Sequence, residues 1–467
     1  MFFLFGVYLV IRSIKIGYDF LVKDLTSGKP SKVIWSYTIP MFLSVIFQQL
    51  YNIADSVIAG RFAGEDALAA VGASYPVTMI FNAIAFGSNI GCSVVIARIF
   101  GSREYSHLKT AISTTVISSF VGSAFLSAIG LLISRPVTLA LNTPENIIDD
   151  ANLYLRIYIG GFAFLYIYNI ATAIFTALGD SRTPLCFLIG SSLGNILLDY
   201  IFVKFFHWGV AGVAWATFIA QGTACVLAMI TVVIRVNAST PGCAYSRFSF
   251  LTLKEIAVVA VPSILQQSFV SVGNLFIQSL INSYGSSVIA GYSAAIKLNT
   301  FCITSMSTLG NGISGYTAQN VGAGKLSRID SGFKACLAMS LIITVPFTVA
   351  YYFAAEPLIG LFLDGGDNNL ALAVGKAFLS TVSPFYIPIA AKLIVDGVLR
   401  GTGRMKSFMV ATFTDLVLRV VFAYILSPVY GSQGIWYSWP IGWLVATLIS
   451  VMFYISGYRS RKKIQNA

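Results

Sequence analysis

Long apolar stretches with few charges inside them recur along this chain, and they decide the class of fold before any single residue does. A helix needs about 20 predominantly apolar residues to cross a hydrocarbon core roughly 30 Å thick. Stretches of that kind fall at 33–60, 67–97, 110–134, 152–178, 184–206, 209–234, 255–283, 287–318, 335–355, 372–399, 407–429 and 434–457. Spanning strands would instead show alternating segments of about ten residues, and runs such as AISTTVISSFVGSAFLSAIGLLI do not alternate. The expected fold is therefore an all-α polytopic membrane protein with twelve transmembrane helices. With 57% of its 467 residues hydrophobic and 10% charged, the chain has too little polar surface for a water-soluble globule.

A net charge of +12 would ordinarily suggest a nucleic-acid partner. The positions of the cations argue against one. Most Lys and Arg fall in alternate connections: before the first span (Arg12, Lys15, Lys23, Lys29, Lys32), after the second (Arg98, Arg103, Lys109), around 235–254, after the eighth and tenth, and in the tail at Arg459–Lys463. The opposite connections hold few, among them Arg61, Arg135 and Lys204. By the positive-inside rule both termini face the cytoplasm, which places the protein in the cytoplasmic (inner) membrane as a multi-pass chain. The basic surplus is a topology signal. No nucleic acid and no obligate protein partner is expected beyond the lipid bilayer and a small-molecule solute.

The six cysteines are scattered without a CxxC pair, and His107 and His207 stand alone, so neither a metal site nor a cofactor is expected. Residues 1–21, beginning MFFLFGVYLVIRSIK, carry about ten consecutive apolar positions, too few to span. They read either as an interfacial segment or as an extension ahead of a natural start near Val22.

An internal repeat organises the rest. Pro40 and Pro262, Asn52 and Asn274, Gly179 and Gly401, Arg182 and Arg404, and Gly212 and Gly434 match at a separation of 222 residues. GCSVVIARIFGSREY and GISGYTAQNVGAGKL align at 221. The chain is thus a duplicated six-helix unit. Six is even, so both copies keep one orientation and are related by a pseudo-two-fold along the membrane normal. The expected organisation is an N-terminal segment 1–32, an N-lobe 33–234, a cytoplasmic linker 235–254, a C-lobe 255–457 and a basic tail 458–467. Repeats of this kind favour a transporter whose lobes alternate access to a site between them.

Four carboxylates lie in the interior of spans: Asp55, Asp199, Asp396 and Asp415. Charges at such depth are costly and are functional candidates by default. Asp396 has Lys392 and Arg400 four residues away on either side, and Asp415 has Arg419, so local ion pairs are expected for both. Asp55 and Asp199 have only neutral neighbours at helical spacing, Asn52 and Asn195. A desolvated carboxylate of this kind exchanges a proton or takes a cation as its partner, unless it serves only to satisfy buried amides. At 1.5 Å per residue, Asp55, Asp199 and Thr217 all fall in the outer half of the bilayer. Pro40, fifteen residues before Asp55, removes a backbone hydrogen bond and permits a bend. Gln48, Asn52, Gln266, Asn274 and Lys297 are candidates to line the cleft between lobes.

The segments IPMFLSVIFQQLYNIADSVIAG, AAVGAS and TAQNVGAGKLSRI, with the basic loop after the second span, resemble the multidrug and toxic compound extrusion (MATE) family over roughly residues 24–457. The resemblance implies a two-lobed, twelve-helix exporter of amphiphilic organic cations or drugs, driven by H⁺ or Na⁺. It also implies an ion-coupling group of Asp55, Asn195, Asp199, Thr217 and Tyr154, and it connects the bend at Pro40 to carboxylate protonation. Some relatives carry acids in spans seven and ten; here span seven, PSILQQSFVSVGNLFIQSLIN, has none. Two other classes are weighed. A lipid-linked oligosaccharide flippase of a related fold would show more spans and several cleft arginines. An intramembrane aspartyl protease would carry a G-x-G-D context around one aspartate, and that context is absent. The chain is not expected to be an enzyme.

Overall fold

The computed structural model describes residues 24–58, 65–141, 143–363 and 369–466; the side chains of 53–58, 65–68 and 459–466 lie outside the described residues, as does the segment 1–21. All regular structure among the described residues is helical. In chain order the helices are α1 Pro30–Ile58, α2 Glu65–Gly101, α3 Tyr105–Ala140, α4 Ile148–Gly160, α5 Phe162–Ala177, α6 Arg182–Tyr200, α7 Gly209–Ser239 and α8 Phe250–Asn282. They continue with α9 Ser286–Gly322, α10 Ser327–Phe353, the short α11 Ala355–Gly360, α12 Asn369–Val382, α13 Tyr386–Gly401, α14 Met405–Tyr430 and α15 Ser432–Asn466.

Each of the twelve expected spans corresponds to one helix or one pair. Ten stretches are long and apolar enough to cross a membrane, and α4 with α5, bent by 42° at their junction, make an eleventh. The twelfth is α9, whose 37 residues include a run of Gly, Ser, Thr and Asn that makes it less apolar than its neighbours. Its surroundings explain that composition. A Cβ placed on Gly291 would stand 2.1 Å from the Ala371 carbonyl oxygen, and one on Gly310 would stand 2.5 Å from that of Leu393. From the other side, a Cβ on Gly397 would stand 2.2 Å from the Gly310 oxygen and one on Gly401 2.6 Å from that of Ser314. Small residues let α9 lie backbone to backbone against α12 and α13, as helices do where lipid supplies no hydrophobic drive for their association.

A prediction arises here. Gly397→Ala forces α9 and α13 apart, and overpacking of this kind costs about 1–3 kcal/mol. The expected result is a lowered midpoint for thermal loss of monodisperse protein in detergent, with Gly360→Ala, whose added Cβ meets nothing within 4 Å, unchanged. Equal midpoints would mean that the helices do not touch there.

Contacts divide the chain into two compact units: Met1–Asp24 with Leu43–Ile264, and Leu25–Phe42 with Leu265–Ala467. The division does not follow the repeat boundary. The first twelve or so residues of α1 belong with the second unit, and the first part of α8 belongs with the first. Each change of unit falls two residues after a proline inside the helix, Pro40 in α1 and Pro262 in α8. Matching glycines receive the exchanged segments. In the first unit a Cβ on Gly91 would lie 2.2 Å from Ala260 Cα and one on Gly87 2.4 Å from Ile264 Cα. In the second, a Cβ on Gly312 would lie 2.3 Å from Thr38 Cγ2. Gly91 and Gly312 are paired by the 221-residue alignment.

Three helices end in the same hydrogen-bonded turn. Gly179, Gly324 and Gly403 have φ of 82°, 69° and 77°. Their N–H groups donate to Thr176, Val321 and Arg400, and the next N–H groups to Phe175, Asn320 and Leu399, the two bonds of a Schellman cap. The sequence match of Gly179 to Gly401 is therefore corrected: the residue with the same backbone role is Gly403, two positions on. The second repeat has gained two residues by this point.

Candidate functional site

In the first unit, α6 carries Asn195 and Asp199 one turn apart, so both project from one face. They are 2% and 1% exposed. Thr217 comes from α7 and Tyr51 from α1. With the Asn195 amide turned so that both of its ends meet complementary atoms, its Nδ2 donates to Tyr51 Oη at 2.8 Å and to Asp199 Oδ2 at 3.0 Å. Its Oδ1 then accepts from the Thr217 backbone N–H at 3.1 Å. In the opposite orientation Nδ2 reaches Thr217 Oγ1 at 3.4 Å; the bonding network assigns the former. Three helices thus meet at one amide. Directly after Asp199 the helix widens into a π turn, Ile201–Phe205, a departure from α geometry frequent at functional sites.

Tyr154 on α4 lies at the edge of this group. It packs against Val203, four residues after Asp199 in the π turn, and Val213, four residues before Thr217 on α7, and stacks on Tyr158 with ring centroids 6.3 Å apart. Tyr158 Oη in turn accepts from Asn82 Nδ2 at 2.9 Å. Asp55 lies on α1, four residues beyond Tyr51; its side chain falls outside the described residues. Sequence reasoning missed Tyr51. The signal was present, since Tyr51 shares a helix face with Asp55 at a spacing of four.

The remaining candidates are placed as follows. On α1, Gln48 Nε2 donates to Asn52 Oδ1 at 3.4 Å and Asn52 Nδ2 to Gln49 Oε1 at 3.2 Å. Gln266 and Asn274 are both half-buried on α8, and Gln266 Oε1 is buried without a hydrogen-bond partner among the described residues. Lys297 on α9 is exposed, with its Nζ 5.6 Å from the centre of the Phe362 ring.

The second unit buries a larger charge cluster. Lys392 Nζ on α13 lies 3.0 Å from Asp396 Oδ2, as the sequence spacing predicts, and 3.9 Å from Asp415 Oδ2 on α14. Asp396 Oδ1 accepts from Ser450 Oγ at 2.7 Å. Two expected pairings are corrected. Arg400 Nη2 donates to Asn311 Oδ1 at 2.9 Å, and Arg419 stacks over the Trp439 indole at 4.5 Å. The cation nearest Asp415 is Lys392. Helical spacing offers a carboxylate its neighbours on the same helix; here a lysine from the adjacent helix reaches it first. No group of three or more His, Cys, Asp or Glu among the described residues is arranged to hold a metal ion.

Comparison with known proteins bears on the family and the fold. The MatE family model matches residues 40–201 and 262–425, two copies whose starts are 222 residues apart. A relative named "Probable multidrug resistance protein YpnP" from Bacillus subtilis is 27% identical over 437 residues, covering 93% of this chain and 97% of the relative. A "FAD transporter" from Shewanella oneidensis is 23% identical, over 89% of this chain and 92% of its own length. Among solved structures, a MOP superfamily transporter from Pyrococcus furiosus superposes with a TM-score of 0.87 at 22% identity, covering 95% of this chain and 99% of the other. A multidrug resistance MATE family transporter in an outward-facing conformation gives 0.86 at 23% identity, over 95% and 99%.

Proposed function

Because this chain belongs to the multidrug and toxic compound extrusion family, and is therefore a multi-pass membrane transporter and not an enzyme, we propose that it exports amphiphilic organic cations or drugs from the cytoplasm in exchange for H⁺ or Na⁺. Its two lobes would alternate access to the solute, with both termini in the cytoplasm. The observation that carries the coupling role is the Asn195 amide, which binds Asp199, Tyr51 and Thr217 at once. A proton or Na⁺ taken by Asp199, together with Asp55, weakens the charge-assisted bond that Nδ2 donates to its carboxylate. That bond lies within α6, and the same amide also holds Tyr51 of α1 and the Thr217 N–H of α7, so its rearrangement would reach all three helices. Tyr154 shapes the outer edge of the group, and the bend permitted at Pro40 lets α1 respond. Multidrug proteins and a FAD transporter among the relatives do not favour the flippase alternative.

Ion replacement in proteoliposomes tests the reading. An imposed inward H⁺ or Na⁺ gradient is expected to drive movement of a fluorescent organic cation, and an ionophore that collapses the gradient is expected to stop it. Movement indifferent to both gradients would overturn the antiport reading. The orientation has its own test: a cysteine at residue 240 is expected to react with an impermeant reagent only after cells are opened, because the basic connections mark the cytoplasmic side. Labelling from outside intact cells would reverse the topology.

A further inference from the structure

The second unit holds two buried hydrogen-bond donors side by side, and neither has an acceptor. Arg419 on α14 and Trp439 on α15 are 6% and 4% exposed, and the guanidinium carbon lies 4.5 Å from the indole ring centre. Arg419 Nε and Trp439 Nε1 are both buried without a hydrogen-bond partner among the described residues. Guanidinium and indole nitrogens only donate, so rotation of neither side chain can satisfy the other. The nearest carboxylate on the same helix, Asp415, brings Oδ2 within 3.9 Å of Lys392, and its Oδ1 is itself buried without a hydrogen-bond partner among the described residues. Asp415 Oδ1 is turned toward Gly442, 2.8 Å from where a Cβ would stand there.

Charge points the same way. The buried cations are Lys392, Arg400 and Arg419, and the buried carboxylates beside them are Asp396 and Asp415. Lys392 serves both carboxylates, and Arg400 turns to Asn311. Three buried cations thus stand beside two carboxylates, and Arg419 has the Trp439 indole against it but no carboxylate within ion-pairing distance among the described residues; a buried charge short of compensation is unfavourable. Its setting is otherwise aromatic: Trp439 meets Phe378 and Trp443, each at 5.6 Å, and Tyr292 stacks on Trp436 at 5.4 Å. Gly273 on α8 leaves room for about a methyl group beside the guanidinium, since a Cβ there would be in ordinary contact with Val420 Cγ2 at 3.8 Å and Arg419 Nη2 at 4.0 Å.

We propose that the second unit carries a subsite for the carboxylate of an aromatic solute, bound by the Arg419 guanidinium and the Trp439 indole N–H. The inference rests on the export reading and deepens it: the preferred solutes are zwitterions, amphiphilic cations that also bear a carboxylate. A guanidinium suits such a group because its planar fork matches a carboxylate, and charge-assisted bonds are about twice as strong as neutral ones.

The test uses purified full-length protein in nanodiscs and two probes, an esterified cationic rhodamine and the same dye with its carboxylate free, compared by equilibrium dialysis. Wild type is expected to bind the free acid roughly ten-fold more tightly than the ester. Arg419→Gln is expected to abolish that preference and leave ester binding as it was. Trp439→Phe should remove part of the preference, and Arg419→Lys should keep part. If Arg419→Gln fails to fold, the last two variants carry the same comparison. Equal affinities of wild type for the two dyes would overturn the proposal, because the donors would then hold water alone. So would a parallel loss of both dyes in the variants, or a preference that survives them. Gradient-driven movement of the ester by wild type is a separate measurement, and its failure would count against the export reading and not against the subsite.

Discussion

Asp199→Asn protein is expected to fold, to bind solute and to lose gradient-driven export down to the level of protein-free vesicles. An amide imitates a protonated carboxyl in size and polarity but cannot titrate or carry a charge to Na⁺. The substitution is mild for packing because Asp199 is 1% exposed and sits beside another amide, Asn195, at 3.0 Å. Solute binding should also become insensitive to pH between about 5 and 8 and to Na⁺, since a site that cannot load the ion cannot transmit its effect. A structural Asp that merely accepts a hydrogen bond would behave differently: Asn would replace it in part, and residual transport would keep its dependence on the gradient. Export by Asp199→Asn that still follows the imposed gradient would sink the coupling role.

Much of that site was legible in the sequence, and for a definite reason. Asn195 and Asp199 are four residues apart in a span without neighbouring cations, so helical geometry alone puts them on one face. Thr217 and Tyr154 came only with the family resemblance, because nothing in a single span says which neighbouring helix will face it. Tyr51 was overlooked since an aromatic in an apolar run looks like lipid-facing bulk. Its contact shows only when α1 and α6 are seen to meet at the Asn195 amide. The exchanged halves of α1 and α8 were hidden for a similar reason. Apolar length marks a span, but the partner of a span is chosen by close-packing glycines whose counterparts are some two hundred residues away.

Lys392→Met should give the largest loss of stability in the second unit. Its ammonium lies within 3.0 Å of Asp396 and 3.9 Å of Asp415, and all three side chains are buried. Removing one partner of a buried ion pair typically costs about 3–5 kcal/mol, because the charge left behind has lost its compensation. Here two carboxylates are left. Folded yield and thermal midpoint in detergent should therefore drop sharply in the single variant. They should recover when Asp396→Asn and Asp415→Asn are added, since well-packed neutral groups can replace a buried ion pair with little penalty. Arg419→Gln on its own should disturb stability less, because the structure gives that cation no carboxylate within ion-pairing distance among the described residues. A Lys392→Met protein as stable as wild type would show that Asp396 and Asp415 are neutral or hydrated in place. The triad also shows where spacing rules stop: the i, i+4 pattern found Lys392 for Asp396 but paired Asp415 with the wrong cation, since it cannot see across from α14 to α13.

The crossing of α1 and α8 between units bears on how such a chain could have arisen. Residues Leu25–Phe42 complete the compact unit built from Leu265–Ala467, and the stretch up to Ile264 completes the other. A six-helix ancestor with this arrangement could not have been a self-sufficient monomer, because its leading segment would have been folded into a second copy. It would have been a domain-swapped dimer. Joining two such genes end to end would then have required no new packing, only a connection long enough to run from the end of α7 to the start of α8. The two crossings fall at equivalent positions of the repeat, two residues after Pro40 and Pro262, as an exchange copied along with the unit would leave them.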